Sequence, residues 1–203
     1  MAISERALLA GTTAAALWLG LAQPALAQAA GLPLRIVVYD YANVPPDVLA
    51  RAQTVVSRTF AEIGIDAQWM DVASFTRAMP AEPAARRTFV ASVVQVNVIP
   101  PAMHKVLGRK GSVLGGAGSS TRRVWIAFAR IEQSAALAKA ELGDVLGSVI
   151  AHETGHVLMP EGSHAVSGLM QHRIDPALIA QNRLSFLSEE ATLIRAALAG
   201  DAR

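Results

Sequence analysis

The sequence predicts one α+β domain, with a mixed but mostly parallel sheet early and helices late, and three observations lead there. A strand, a helix and a second strand follow one another between Leu34 and Val72, the order of a crossover joining two parallel strands. Two further β-branched, apolar runs come next, at Phe89–Ile99 and Val124–Phe128. From Ala135 onward the apolar residues recur at helical spacing.

Taken in order, Leu34-Arg35-Ile36-Val37-Val38-Tyr39 reads as the first strand. Pro45-Pro46-Asp47 stops the chain and opens a helix, in which Val48, Leu49, Ala52, Val55, Val56, Phe60 and Ile63 share one face. Gly64 ends it, and Ile65–Val72 is the second strand. The stretch Ser74–Arg87, with Pro80 and Pro83, reads as loop, and Phe89–Ile99 as a strand stopped by Pro100-Pro101. Lys105–Arg123 is glycine-rich and precedes the strand Val124–Phe128. Ala135–Leu158 reads as one helix or two, given Gly143 and Gly147. Pro176–Ala199 is a further helical region, with Ser188 as the N-cap of a last helix.

The first 27 residues read as a secretory leader. Arg6 lies in a short polar start, Leu8–Leu21 is almost wholly apolar, and Ala25-Leu26-Ala27 supplies the small residues of a cleavage site. That apolar run falls short of the roughly 20 residues a spanning helix needs. The expectation is export to the periplasm or beyond, with residues 28–203 as the mature domain and no membrane anchor after cleavage. Of the 203 residues 52% are hydrophobic and 17% charged, which excludes a disordered chain. Net charge is +2. The basic pairs Arg86-Arg87, Arg109-Lys110 and Arg122-Arg123 are scattered without aromatic interleaving, so nucleic acid is not an expected partner. There is no cysteine, which removes thiolate metal sites and thiol nucleophiles. Any metal must rest on nitrogen and oxygen.

The informative segment is His152-Glu153-Thr154-Gly155-His156. Residues four apart on a helix share a face, so both imidazoles can reach one Zn²⁺ while Glu153 reaches its water without ligating. Val145, Leu146, Val149, Ile150, Val157 and Leu158 flank the motif, so the helix is expected to be buried, and polar groups on it need a partner. One zinc ion provides that partner. A third ligand is required, and Glu161, His164, His172, Asp175, Glu189 and Glu190 follow downstream. Met159-Pro160-Glu161-Gly162-Ser163 turns the chain, so His164 is the preferred ligand. Glu189 and Glu190 read as first-turn acids complementing a helix dipole.

The run Ala151–Leu158, then Ser163-His164, then Gly168-Leu169-Met170, resembles the metzincin clan of zinc metallopeptidases, and in particular a group of small, secreted bacterial metzincin-like proteins. The resemblance is specific from about Gly143 to Met170. It implies a metzincin-like fold in which Met170 forms the methionine turn and Val113-Leu114-Gly115-Gly116-Ala117 is the substrate-binding edge strand, beside Val124–Phe128. It implies a peptide or protein substrate. Two departures stand out. The third histidine usually lies six residues after the second, whereas His164 lies eight after His156. Some members carry a tyrosine two residues after the turn methionine that assists the oxyanion; here that position is His172.

The expected activity is therefore secreted, zinc-dependent endopeptidase action, a zinc-bound water being activated by Glu153. The alternatives are a zinc-binding module without turnover, and hydrolysis of another amide such as a cell-wall crosslink. Cleavage preference and oligomeric state are not legible in the chain.

Overall fold

The computed structural model describes residues 31–106, 114–160, 164–181 and 184–200. The expected leader at 1–27, the expected edge residue Val113 and the candidate ligand Glu161 lie outside them. Among the described residues five strands form one sheet in the order β2-β1-β3-β5-β4. Strand β1 spans Leu32–Asp40, helix α1 Pro46–Ala61 and strand β2 Ile65–Met70. β1 and β2 run parallel, with Leu34 opposite Ala67 and Ile36 opposite Trp69, as the strand–helix–strand order predicts. Ala52, Val55, Val56, Thr59 and Phe60 are the buried stripe of α1, a 3.6-residue period facing the sheet. Gly64 turns the chain at φ +75°, a conformation that suits a residue without Cβ.

The expected loop at Ser74–Arg87 is instead two short helices, α2 at Val72–Ala78 and α3 at Pro83–Ala91. Asp71 caps the first by accepting from the Ser74 N–H, and Glu82 caps the second by accepting from the Ala84 and Ala85 N–H groups. Pro83, read from sequence as a breaker, sits at the start of α3, where a missing N–H costs nothing. Neither helix has a buried residue. Phe89 belongs to α3, stacks on Phe75 and receives the Arg35 guanidinium at 4.6 Å from its ring.

Strand β3 therefore begins at Val93 and runs to Ile99, parallel to β1 on one side and to β5 on the other. Helix α4 follows at Pro101–Val106. β4, Gly115–Gly118, is antiparallel to β5, Arg123–Ala127. The expected edge strand thus starts later and ends one residue further on, though the Leu114 carbonyl still accepts the Ala127 N–H at 2.9 Å. Phe128, expected in the last strand, opens helix α5, Phe128–Ala138.

Helix α6 spans Leu142–Leu158. It is parted from α5 by Lys139, in the left-handed region at φ 52°, and not by either glycine. Leu34, Ile36, Val94, Val96, Val98, Val124 and Ile126 alternate along the sheet and meet Val56, Leu146 and Ile150 from α1 and α6 in one core. Arg51 on α1 donates to both oxygens of Asp144 on α6, at 2.6 and 3.1 Å. The expected helical region at Pro176–Ala199 is two helices, α7 at Pro176–Ala180 and α8 at Ser188–Gly200. Ser188 is the first helical residue of α8, and the cap comes from Glu190, whose carboxylate accepts the Leu187 N–H at 2.7 Å. Among the described residues no helix is long and apolar enough to cross a membrane.

Candidate metal centre

Helix α6 is buried along nearly its whole length. Its last turns carry His152 and His156 on one face, their Nε2 atoms 3.1 Å apart and their rings edge to face. The chain leaves the helix at Met159 and returns with His164, whose Nε2 lies 3.1 Å from that of His156. All three ligand atoms fall within 4.8 Å of one another. A tetrahedral ion with Zn–N bonds of 2.0–2.1 Å separates its nitrogens by roughly 3.3 Å. Two of these spacings already approach that value, and three imidazoles without thiolate or carboxylate are a donor set that suits Zn²⁺.

Orientation and protonation favour the same role. His152 Nδ1 lies 2.8 Å from the Leu169 carbonyl oxygen. An Nδ1–H donated to that carbonyl leaves the Nε2 lone pair for a metal. Burial pushes the His152 imidazole below its usual pKa, outweighing the backbone hydrogen bond. Burial, followed by the neighbouring His152 and His164, lowers His156 to about 4. Burial and His172 lower His164 as well. Neutral imidazole is the form that ligates.

Beneath the helix sits Met170, fully buried. A Cβ at Gly155 would lie 2.6 Å from Met170 Sδ and 3.0 Å from the Phe186 ring, so glycine there is what lets the methionine lie against the helix. The turn carrying Met170 is tied on both sides. Ala165 N–H donates to the Met170 carbonyl at 2.9 Å, and Leu169 N–H donates to the Ser185 carbonyl at 2.8 Å. Gly168 makes the bend at φ +79°.

Glu153 is 8% exposed and leans on the edge strand, where a Cβ at Gly115 would lie 2.9 Å from its Oε1. Alternation along the antiparallel ladder places the main-chain groups of Leu114 and Gly116 towards β5 and those of Gly115 and Ala117 away from it. Ser119, in the 3₁₀ turn after β4, donates its hydroxyl to the His156 carbonyl at 3.2 Å. His172 is exposed, with its ring 4.9 Å from that of His164.

The structure thus brings His152, His156 and His164 together despite the eight-residue spacing, with Glu153, Met170 and His172 around them. The other described candidates for the third ligand lie elsewhere: Asp175 caps α7 by accepting the Ala177 N–H, Glu190 caps α8, and exposed Glu189 is outside the cluster. Burial raises the Glu190 pKa. Sequence reasoning missed the Leu169 and Ser185 carbonyls and the contact of Gly115 with Glu153. Carbonyls are common to every residue and carry no sequence signal, and the glycine's partner lies far along the chain.

No protein family model matches this chain, and no curated protein does. Among solved structures it is similar to a zinc-dependent peptidase from Methanocorpusculum labreanum (strain Z), with 13% identity and a TM-score of 0.53, over 78% of this chain and 99% of that one. An archaemetzincin from Methanopyrus kandleri aligns at 15% identity and a TM-score of 0.43, over 86% of this chain and 99% of that one. At the first of these levels the likeness is one of fold: a mixed, mostly parallel sheet with helices, shared with a zinc-dependent peptidase.

Proposed function

We propose that the chain is a metzincin-like, zinc-dependent endopeptidase, exported by the leader at residues 1–27. The observation that carries this reading is the convergence of three imidazoles beside a buried carboxylate at the rim of an edge strand. His152, His156 and His164 would hold the ion. When bound, zinc would lower the pKa of its water towards about 7 and polarise a carbonyl.

The rest falls to the chain's own groups. The outward main-chain groups of Gly115 and Ala117 pair with an extended peptide by strand addition. Glu153 takes the proton from the attacking water and passes it to the leaving amine. His172 donates a hydrogen bond to the developing oxyanion. Met170 and the Leu169 carbonyl keep the floor of the site and the His152 ring in place.

The test is a peptide-library digest by the purified mature chain, with and without chelator, alongside metal analysis. One zinc per chain and chelator-sensitive cleavage are expected. Stoichiometric zinc with no cleavage of any peptide would assign the chain to a non-catalytic zinc module. The leader is tested by N-terminal sequencing of exported protein, which should begin at Gln28.

A further inference from the structure

Glu153 directly follows His152 in the chain, yet the cluster of possible ligand atoms holds only the three imidazoles. On the sheet side the limit of Glu153 is Gly115, the first residue of β4. A Cβ at that position would lie 2.8 Å from Glu153 Cγ, 2.9 Å from Oε1 and 3.1 Å from Cδ. The Cγ contact decides the matter. Turning the carboxylate about its outer bonds leaves Cγ where it is, so relief requires a different χ1 rotamer, and helical backbone allows few of them.

Nor can the strand simply drift away. Gly115 is paired with Ile126, and the preceding Leu114 carbonyl holds the Ala127 N–H. Beyond the strand's other end, Ser119 is hydrogen-bonded to the His156 carbonyl. The chain around the contact is thus held to β5 on one side and to α6 on the other.

We propose that Gly115 is a positioning residue for Glu153, its bare backbone setting the rotamer that seats the carboxylate against β4 beside the three imidazoles while leaving those histidines untouched. The catalytic consequence rests on the peptidase reading above; the geometric one does not.

The decisive experiment is a double-mutant cycle on thermal stability, combining Gly115→Ala with Glu153→Ala in the full chain. Overpacking at a fixed contact lowers Tm by about 3–10 °C in a chain this long. Gly115→Ala is expected to do so in the parent and to cost under about 2 °C where Glu153→Ala has removed Cγ. An equal loss in both backgrounds overturns the proposal, because the two residues then do not share a seat. Should the single variant fail to fold, the Gly115→Ala/Glu153→Ala chain still decides: folding like Glu153→Ala supports the proposal, and failure to fold overturns it.

Two further readouts separate positioning from general damage. Gly115→Ala is expected to bind one zinc with affinity within about threefold of the parent, and its crystal structure is expected to show Glu153 in another rotamer above unmoved histidines. Loss of zinc from a folded Gly115→Ala variant, or an unmoved Glu153, would refute it. With an active parent, kcat is expected to fall about 10²-fold or more while KM stays within about threefold, as for displacing a general base. A parent that binds zinc but cleaves nothing would remove the peptidase reading and leave the stability cycle standing.

Discussion

In the first half of α6 glycine serves to bring two helices together. A Cβ at Gly143 would lie 2.6 Å from Arg51 Cβ, and one at Gly147 would lie 2.7 Å from the Ala52 carbonyl oxygen, both on α1. In the second half Gly155 makes room for two side chains, Met170 Sδ at 2.6 Å and the Phe186 ring at 3.0 Å from a Cβ placed there. The first half is a mount, pressed against the backbone and the side-chain bases of α1. The second is the part mounted, whose neighbours are Met170, Phe186 and the Leu169 carbonyl beside His152. The comparison teaches that a single buried helix divides its small residues between stability and chemistry, and that the two should respond separately to substitution.

The largest effect is expected at the second half. His156→Ala removes the imidazole that lies 3.1 Å from both other ring nitrogens, and stoichiometric zinc should be lost on dialysis. A variant that keeps one tightly held zinc would sink the metal centre. Next comes Glu153→Gln, which should retain zinc while turnover falls by about 10²–10⁴-fold; peptide hydrolysis at the parental rate would remove Glu153 from the chemistry.

Gly147→Ala tests the first half. Its Cβ meets backbone, which cannot yield as a side-chain tip can, so a Tm loss of about 3–10 °C is expected, with zinc affinity unchanged. Gly155→Ala should show the reverse pattern. Met170 can shift, so stability changes little, but zinc binding weakens about tenfold, as when a group supporting a ligand is disturbed. If Gly147→Ala costs metal and Gly155→Ala costs only stability, the division is wrong.

The smallest effect concerns pH in the metal-free protein. His156 titrates at about 4 when folded against an ordinary 6.5, so between those values the unfolded chain binds a proton that the folded chain does not. Stability therefore falls as pH falls from 6.5 through about 4. In the chelated parent Tm should decline across that window, and His156→Ala should flatten the decline. A steeper decline in the variant would contradict the burial of that ring.

By itself the amino-acid order determined the features whose causes are local. A four-residue spacing places two imidazoles on one helix face wherever that helix lies. The apolar stripe of α1 between two β-branched runs foretold a parallel pair, and Gly64 its turn. Elsewhere the chain misled: Pro83, read as a breaker, opens α3, neither α2 nor α3 buries a residue, and Lys139 rather than a glycine parts α5 from α6. Tertiary structure decided the rest. His164 joins the other histidines only because the loop after Met159 returns. His152 owes its orientation to a carbonyl seventeen residues on, and Glu153 its seat to a glycine on another element. Such contacts join main chain to side chain across long separations, and their geometry exists only once the sheet and the helix have packed.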